Sequence, residues 1–345
     1  MLASLASAQP AFRGMSVIDL MQPWLKGDFD KARQYYIAAD SQFTHRYLAD
    51  MELELAHYRS CSQILKDDSN KSEPGFAMRR ARLLYQTGDL ATAEKVISKT
   101  GLKHSGRVGL HLSNTLALVA LNRGQYAEAK ELFRKRLWLS RKPKAKIDEP
   151  EIILGLIGLA RTYLALGNLN TADEFAGKAL VLSTNSWGPS SIPALDSMQA
   201  LAEIRIAQHN FKQAHELLES CIRERSRLYT EPNPKVADTL EAEARYNLAI
   251  GDGQNALKVA GHAMEIRQQI FGGPNVWSAQ ALLTKADIYA AAGALDQAAR
   301  CYDNAVPVLE ASLGTVAPAV IKARAQRDRI HNRLQTTSTT LPAPQ

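Results

Sequence analysis

The sequence is poor in cysteine: three in 345 residues, Cys61, Cys221 and Cys301, far apart and without a C-x-x-C spacing. An odd, scattered set excludes a disulfide framework and a cysteine-built zinc site, and leaves the three as small hydrophobes inside helices. Aromatic residues make up only 7% of the chain. With alanine and leucine dominant, this favours closely packed helices over a sheet-rich core. No apolar run is long enough to span a bilayer, so no transmembrane segment is expected. The signatures of chemistry are missing as well: there is no Walker motif, no H-E-x-x-H and no G-x-S-x-G. His45, His57, His104 and His111 stand at spacings that do not suggest metal ligands. Gly251-Asp-Gly253-Gln-Asn-Ala256 matches G-x-G-x-x-A, but it lies between two helical patterns and lacks the preceding strand that a phosphate cradle needs. The expectation is therefore a non-enzyme with no catalytic residue, no cofactor and no metal.

What is present is a repeat. A short pattern (Gly, any residue, an apolar residue, two more, then Ala) begins at Gly27, Gly88, Gly124, Gly167, Gly251 and Gly293, with His209 in the Gly slot of one copy. From Gly124 onward the spacings are 43, 42, 42 and 42 residues; from Gly88 to Gly124 it is 36. Helical periodicity flanks each turn, as in Leu156, Leu159, Ala160 and Tyr163. The Gly permits the left-handed backbone that ends one helix before the next begins. Small residues recur seven positions before the turn (Ala81, Ala160, Ala202, Ala244, Ala286) and twelve after it (Ala179, Cys221, Ala263, Ala305). That is what closely approaching antiparallel helices require. Each unit reads as a helical hairpin whose apolar side only a neighbour can cover.

On these residues the chain resembles the tetratricopeptide repeat family, in its longer kinesin-light-chain form of about 42 residues. That form carries a Gly nine residues after the small residue of its second helix. Ala179–Gly188, Ala263–Gly272 and Ala305–Gly314 fit this spacing, with Pro234 and Pro318 near the following helix starts. The resemblance implies an all-α fold: a right-handed superhelical solenoid of tetratricopeptide-type hairpins with a C-terminal capping helix, about Pro318 to Leu334. It also implies a concave groove, lined by the first helix of each hairpin, that binds extended peptides. Carried onto this sequence, the groove positions include Arg82, Asn114, Asn122, Arg161, Glu203, Glu241, Arg245 and Asp287, with Asp196, Gln199, Asp238 and Gln280 in the same columns. The mix predicts acidic character in the C-terminal half. The sequence departs from the pattern at the Asn pair that clamps a peptide backbone in many relatives. Those slots hold Ile157-Gly158, Gln199-Ala200, Glu241-Ala242 and Leu283-Thr284.

The expected function is thus a scaffold or adaptor that binds a protein or peptide segment in the groove. The chain is mildly basic, net +7 with a pI of about 9.2, and one segment concentrates the charge: Arg134, Lys135, Arg136, Arg141, Lys142, Lys144 and Lys146. The alternative function is a regulatory repeat protein that contacts nucleic acid or an anionic surface through residues 134–146. Four regions are expected: 1–15 as a frayed terminus or signal-peptide remnant; 16–75 as a divergent helical region with a hairpin at Gly27, where self-association could occur; 76–335 as the array with its cap; and 336–345 as a disordered tail. The compartment reads as cytoplasmic, with export to a periplasm as the alternative should Ala6-Ser7-Ala8 close a truncated signal peptide.

Overall fold

Alanine-lined hairpins stack in sequence order and bend into one superhelical turn. The computed structural model describes residues 28–38, 42–67, 74–100, 107–140, 149–229 and 232–339, with positions 23 and 26. The fold is an all-α right-handed solenoid, and the described residues contain no strand. Helix α1 (Phe29–Ala38) precedes the hairpins α2/α3 (Gln42–Glu54, Tyr58–Asp67), α4/α5 (Pro74–Gln86, Leu90–Thr100) and α6/α7 (Arg107–Arg123, Tyr126–Ser140). Next come α8/α9 (Glu149–Ala165, Leu169–Trp187) and α10/α11 (Ile192–Ala207, Phe211–Leu228). Then follow α12/α13 (Pro234–Ala249, Gly253–Phe271), α14/α15 (Val276–Ala291, Leu295–Leu313) and the cap α16 (Pro318–Thr339).

The small residues at both recurring positions, from Ala81 to Ala305, are without exposed surface, so the helices of a hairpin meet at backbone distance. The second residue of the turn pattern has a role of its own. Asp89, Asn168, Asn210 and Asp252 each accept a hydrogen bond from a backbone N–H three residues on, at 3.1–3.4 Å, and so cap the second helix. Gly188, Gly272 and Gly314 end the second helices. Pro193, Pro234 and Pro318 sit in the first two positions of the helices that follow. In the slot of the missing Asn, Gly158 lies under the Phe133 ring, where a Cβ would come within 2.3 Å of ring carbons.

Among the described residues two turn residues adopt positive φ without being glycine: Ala56 at 61° and His209 at 59°. Ala56 reveals a repeat hidden from the pattern. Ala56-His57-Tyr58-Arg59-Ser60-Cys61 carries Ala in the Gly slot and Cys in the Ala slot. Within the region expected to be helical but divergent, residues 42–67 are therefore the hairpin α2/α3, broken at Leu55–His57. A left-handed non-glycine residue costs about 1 kcal/mol. His209→Gly is accordingly expected to stabilise the protein by roughly that amount, read as a higher urea midpoint at unchanged slope. Gly251→Ala, at the same slot with φ 85° and open space around it, should show the opposite sign.

The turn of the superhelix closes on itself. Helix α5 packs on α15 and α6 on α16. A core cluster spans this seam: Leu90 and Val119 from the N-terminal side meet Val276, Val306, Leu309, Ala317 and Val320 from the C-terminal side. The Trp277 indole N–H donates to the Gln86 carbonyl at 2.9 Å, and its ring meets Tyr85 edge-on at 5.2 Å. Further round, Tyr58 stacks on Phe271. The Tyr229 hydroxyl donates to Glu54 at 2.6 Å, and the Asn233 amide to the Glu54 carbonyl at 2.8 Å.

Two expected boundaries differ or fall outside what is described. Helix α16 runs to Thr339, past Leu334 and into the stretch expected as tail; no Gly or Pro interrupts it before Pro342, and the Thr336 hydroxyl donates to the Arg333 carbonyl. Residues 1–15 and 340–345 lie outside the described residues, as does Gly27.

Candidate functional site: the inner wall of the ring

The first helices α8, α10 and α12 place Arg161, Glu203 and Arg245 at one position, six residues before their turns. They form a row across three repeats. Arg161 Nε stands 3.4 Å from Glu203 Oε2, and Arg245 Nη2 stands 3.6 Å from Glu203 Oε1. These are charge contacts longer than a good hydrogen bond. The Arg161 side chain keeps 35% of its surface exposed and that of Arg245 43%, against 14% for Glu203. The Gln199 amide donates to Glu203 at 3.0 Å and holds the carboxylate in place.

The electrostatics show how closely the walls converge. Burial works against the Arg161 charge, but Glu203, Asp238 and Asp196, on α10 and α12, outweigh it and push its pKa up. Tyr85, across the ring on α4, is pushed up to about 12 by burial, against the Asn122 hydrogen bond and the nearby Arg161 charge, with Asp238 adding to the rise. Glu203 is drawn down: burial opposes its charge, and Arg161 and Arg245 prevail.

Beside this row stand two buried guanidinium groups from second helices. Arg225 of α11, only 2% exposed, donates to Asp196 at 2.5 Å, to the Lys235 carbonyl at 2.7 Å, and to Gln199 and Thr239. Lys235 completes the set with a 2.6 Å bond to Asp196 and a contact to Glu54 at 3.4 Å. Arg267 of α13 donates to Glu241 at 2.6 Å and to Asp238 at 2.8 Å. Burial raises the Glu241 pKa even with Arg267 beside it, whereas Lys235 and Arg225 pull Asp196 down against burial. The acidic side chains expected in the C-terminal half are thus partly offset by cations, two of which, Arg225 and Arg267, come from second helices. Sequence reasoning missed Arg225 and Arg267 because it followed the first helices. The available signal was an arginine four residues after the buried Cys221 and Ala263.

The remaining groove residues go to different neighbours. The Asn122 amide donates to the Tyr85 hydroxyl at 3.1 Å and its oxygen accepts from Gln280 at 3.0 Å, across the seam. Asn114 is buried, and its Oδ1 has no hydrogen-bond partner among the described residues. Arg82 turns to Asp50 on α2 at 2.9 Å. Asp287 accepts from the Tyr302 hydroxyl of its own hairpin. In the basic segment, Arg134 and Lys135 are exposed on α7; nothing is described of the Arg136 side chain, and Arg141, Lys142, Lys144 and Lys146 lie outside the described residues. The thiols are buried or half-buried, with Cys61 pushed up to about 12 by burial and by Asp50. Among the described residues no three His, Cys, Asp or Glu side chains group as metal ligands, and no helix is long and apolar enough to cross a membrane.

The hairpins, their stacking and the concave wall define an α-solenoid repeat protein. Sequence profiles described as tetratricopeptide repeat match residues 235–311 and 111–135. Over those residues the chain carries tetratricopeptide repeats. No curated protein matches it. Among solved structures it is similar to a Rap protein complexed with competence and sporulation factor, at 13% identity over 86% of each chain and a TM-score of 0.64. It is also similar to NprR in complex with its cognate peptide NprX, at 12% identity over 86% of this chain and 88% of that one, with a TM-score of 0.60. A putative kinesin light chain with nearly identical repeats from Podosopora anserina shares 21% identity over 59% of this chain and 96% of its own, with a TM-score of 0.41. At such identities the likeness to the Rap protein and NprR is one of fold.

Proposed function

We propose that the protein is a non-catalytic binding module that holds an extended segment of a partner protein or peptide against the inner wall of its ring. The Arg161–Glu203–Arg245 row carries this reading. Its guanidinium groups stand on a concave wall, partly exposed and only loosely paired, and acidic neighbours push the Arg161 pKa up. Arg225, in contrast, is consumed by bonds that reach into the next repeat, and Arg267 by bonds within its own hairpin. Polar groups kept accessible on a rigid concave surface are what a peptide needs for orientation and register. The fold-level neighbours support the reading, since NprR is seen with a cognate peptide.

The test is affinity capture from native lysate at moderate and at high salt, with protein and nucleic acid both assayed. A protein partner retained at both salts and lost on Arg245→Glu is the expected result; Arg245 is exposed enough for the substitution to leave the fold intact. Recovery of nucleic acid alone, steeply weakened by salt and abolished when Arg134 and Lys135 are neutralised, would replace this reading with polyanion binding.

A further inference from the structure

Charge is unevenly placed along the inner wall. At the Arg161–Glu203–Arg245 row, two guanidinium groups share one carboxylate and leave one net positive charge. At Asp238, Glu241 and Arg267, two carboxylates share one guanidinium and leave one net negative charge. A third set, Asp196 and Glu54 with Arg225 and Lys235, is balanced. The two unbalanced ends present accessible groups: Arg245 is 43% exposed and Asp238 is 47% exposed. Both stand on α12, seven residues apart, which is two helical turns on one face and about 10 Å.

We propose that the inner wall selects a segment bearing a carboxylate and a cation about three residues apart, the carboxylate docking between Arg161 and Arg245 and the cation at Asp238. The inference rests on the reading that the wall holds a partner segment, and it adds the chemistry of that segment. Three residues of extended polyproline-type chain span about 9 Å and return side chains to the same face, which matches the separation on α12. The two arginines make no well-formed hydrogen bond to Glu203, so their forked donors remain ready for a planar carboxylate. Glu203 is then an internal competitor: it keeps the two cations apart from each other in the empty wall and is displaced from them, in part, by the incoming acid. Like-charged segments are rejected at one end or the other, since each end repels one sign.

The probe is a random pool of free synthetic heptapeptides, made once with a free and once with an amidated C terminus. The pool is passed over the full-length protein at low salt, and the retained peptides are sequenced by mass spectrometry. The expected result is at least threefold enrichment of Asp or Glu with Lys or Arg three residues away. Lys or Arg three residues from the end, enriched only in the free-acid pool, identifies the carboxylate as the chain terminus; the acid–cation pair enriched in both pools identifies a side chain. Arg161→Gln with Arg245→Gln should abolish the acidic preference and keep the basic one, and Asp238→Asn should do the reverse. Glu203→Gln should strengthen the acidic preference, an outcome that damage to the fold would not produce. Retained peptides without a charge pattern, or a pattern that none of the variants moves, would overturn the charge assignment and leave the inner wall as a binding surface. Retention of no peptide would overturn both.

Discussion

Val276→Asp is expected to open the ring while its repeats stay folded. Val276 has no exposed surface, and it packs in the seam cluster against the turn at Gly88, where its Cγ1 would stand 3.1 Å from a Cβ added to that glycine. An unpaired carboxylate held there costs several kcal/mol, comparable to what burying one or two valines contributes. Opening the seam returns the carboxylate to water. In a solenoid each repeat is stabilised by its neighbours, so the hairpins on either side of the seam keep their own contacts. The substitution is also harmless to the helix itself, because Val276 is the first residue of α14, where an acidic side chain is favoured by the helix dipole. Far-UV circular dichroism should therefore be unchanged. The radius of gyration from small-angle scattering should rise well above the roughly 20 Å of a compact chain of this length. Leu90→Asp, on the opposite side of the seam, should reproduce the effect. A radius equal to wild type in both variants would show that the seam does not depend on this cluster. Loss of helicity would show instead that the seam belongs to one cooperative core.

The repeats were legible in the sequence because their determinants are local. The left-handed Gly and the fully buried Ala pairs act within a single hairpin, and each copy reports the same geometry. The α2/α3 hairpin was illegible for the same reason in reverse: Ala56 and Cys61 perform the steric roles of Gly and Ala without sharing their letters. The seam depends on superhelical rotation accumulated over several repeats. It brings Gln86 to Trp277, 191 positions apart, and no window of sequence contains that information. The inner wall was partly legible. Arg161, Glu203 and Arg245 follow from their column in the first helices. Arg82 and Asp287 share that column but are claimed by Asp50 and Tyr302, and two of the cations that offset the wall's acids, Arg225 and Arg267, come from helices outside it. Charge pairing between repeats is a tertiary property, so counting acids in one column overstates the field they produce.

Arg225→Ala is expected to be among the most destabilising single substitutions in the protein, at about 3–5 kcal/mol. The guanidinium joins three helices: it extends from α11 to Asp196 and Gln199 on α10 and to Thr239 and the Lys235 carbonyl on α12. Burial disfavours its charge, and the surrounding groups, Cys221 and Asp196 foremost, hold it protonated. Truncation leaves Thr239 and Gln199 short of a partner and a cavity the size of the side chain, while Asp196 keeps only Lys235. Because the bonds to Thr239 and the Lys235 carbonyl cross from one hairpin to the next, the interface should weaken as well as the α10/α11 hairpin. Urea unfolding should then broaden or split into two transitions, the signature of a solenoid that has lost coupling at one point. The control separates charge from packing. Arg225→Met keeps most of the volume, and adding Asp196→Asn to it removes the carboxylate left with one fewer cation. The double variant should recover at least half of the loss seen in Arg225→Met alone, by the rule that a missing partner costs more than a missing pair. If Arg225→Met is as stable as wild type, the arginine acts only as filler. If the double variant is no better than Arg225→Met, the stabilisation resides in the bonds to Gln199, Thr239 and the Lys235 carbonyl, and the ion pair contributes nothing to it.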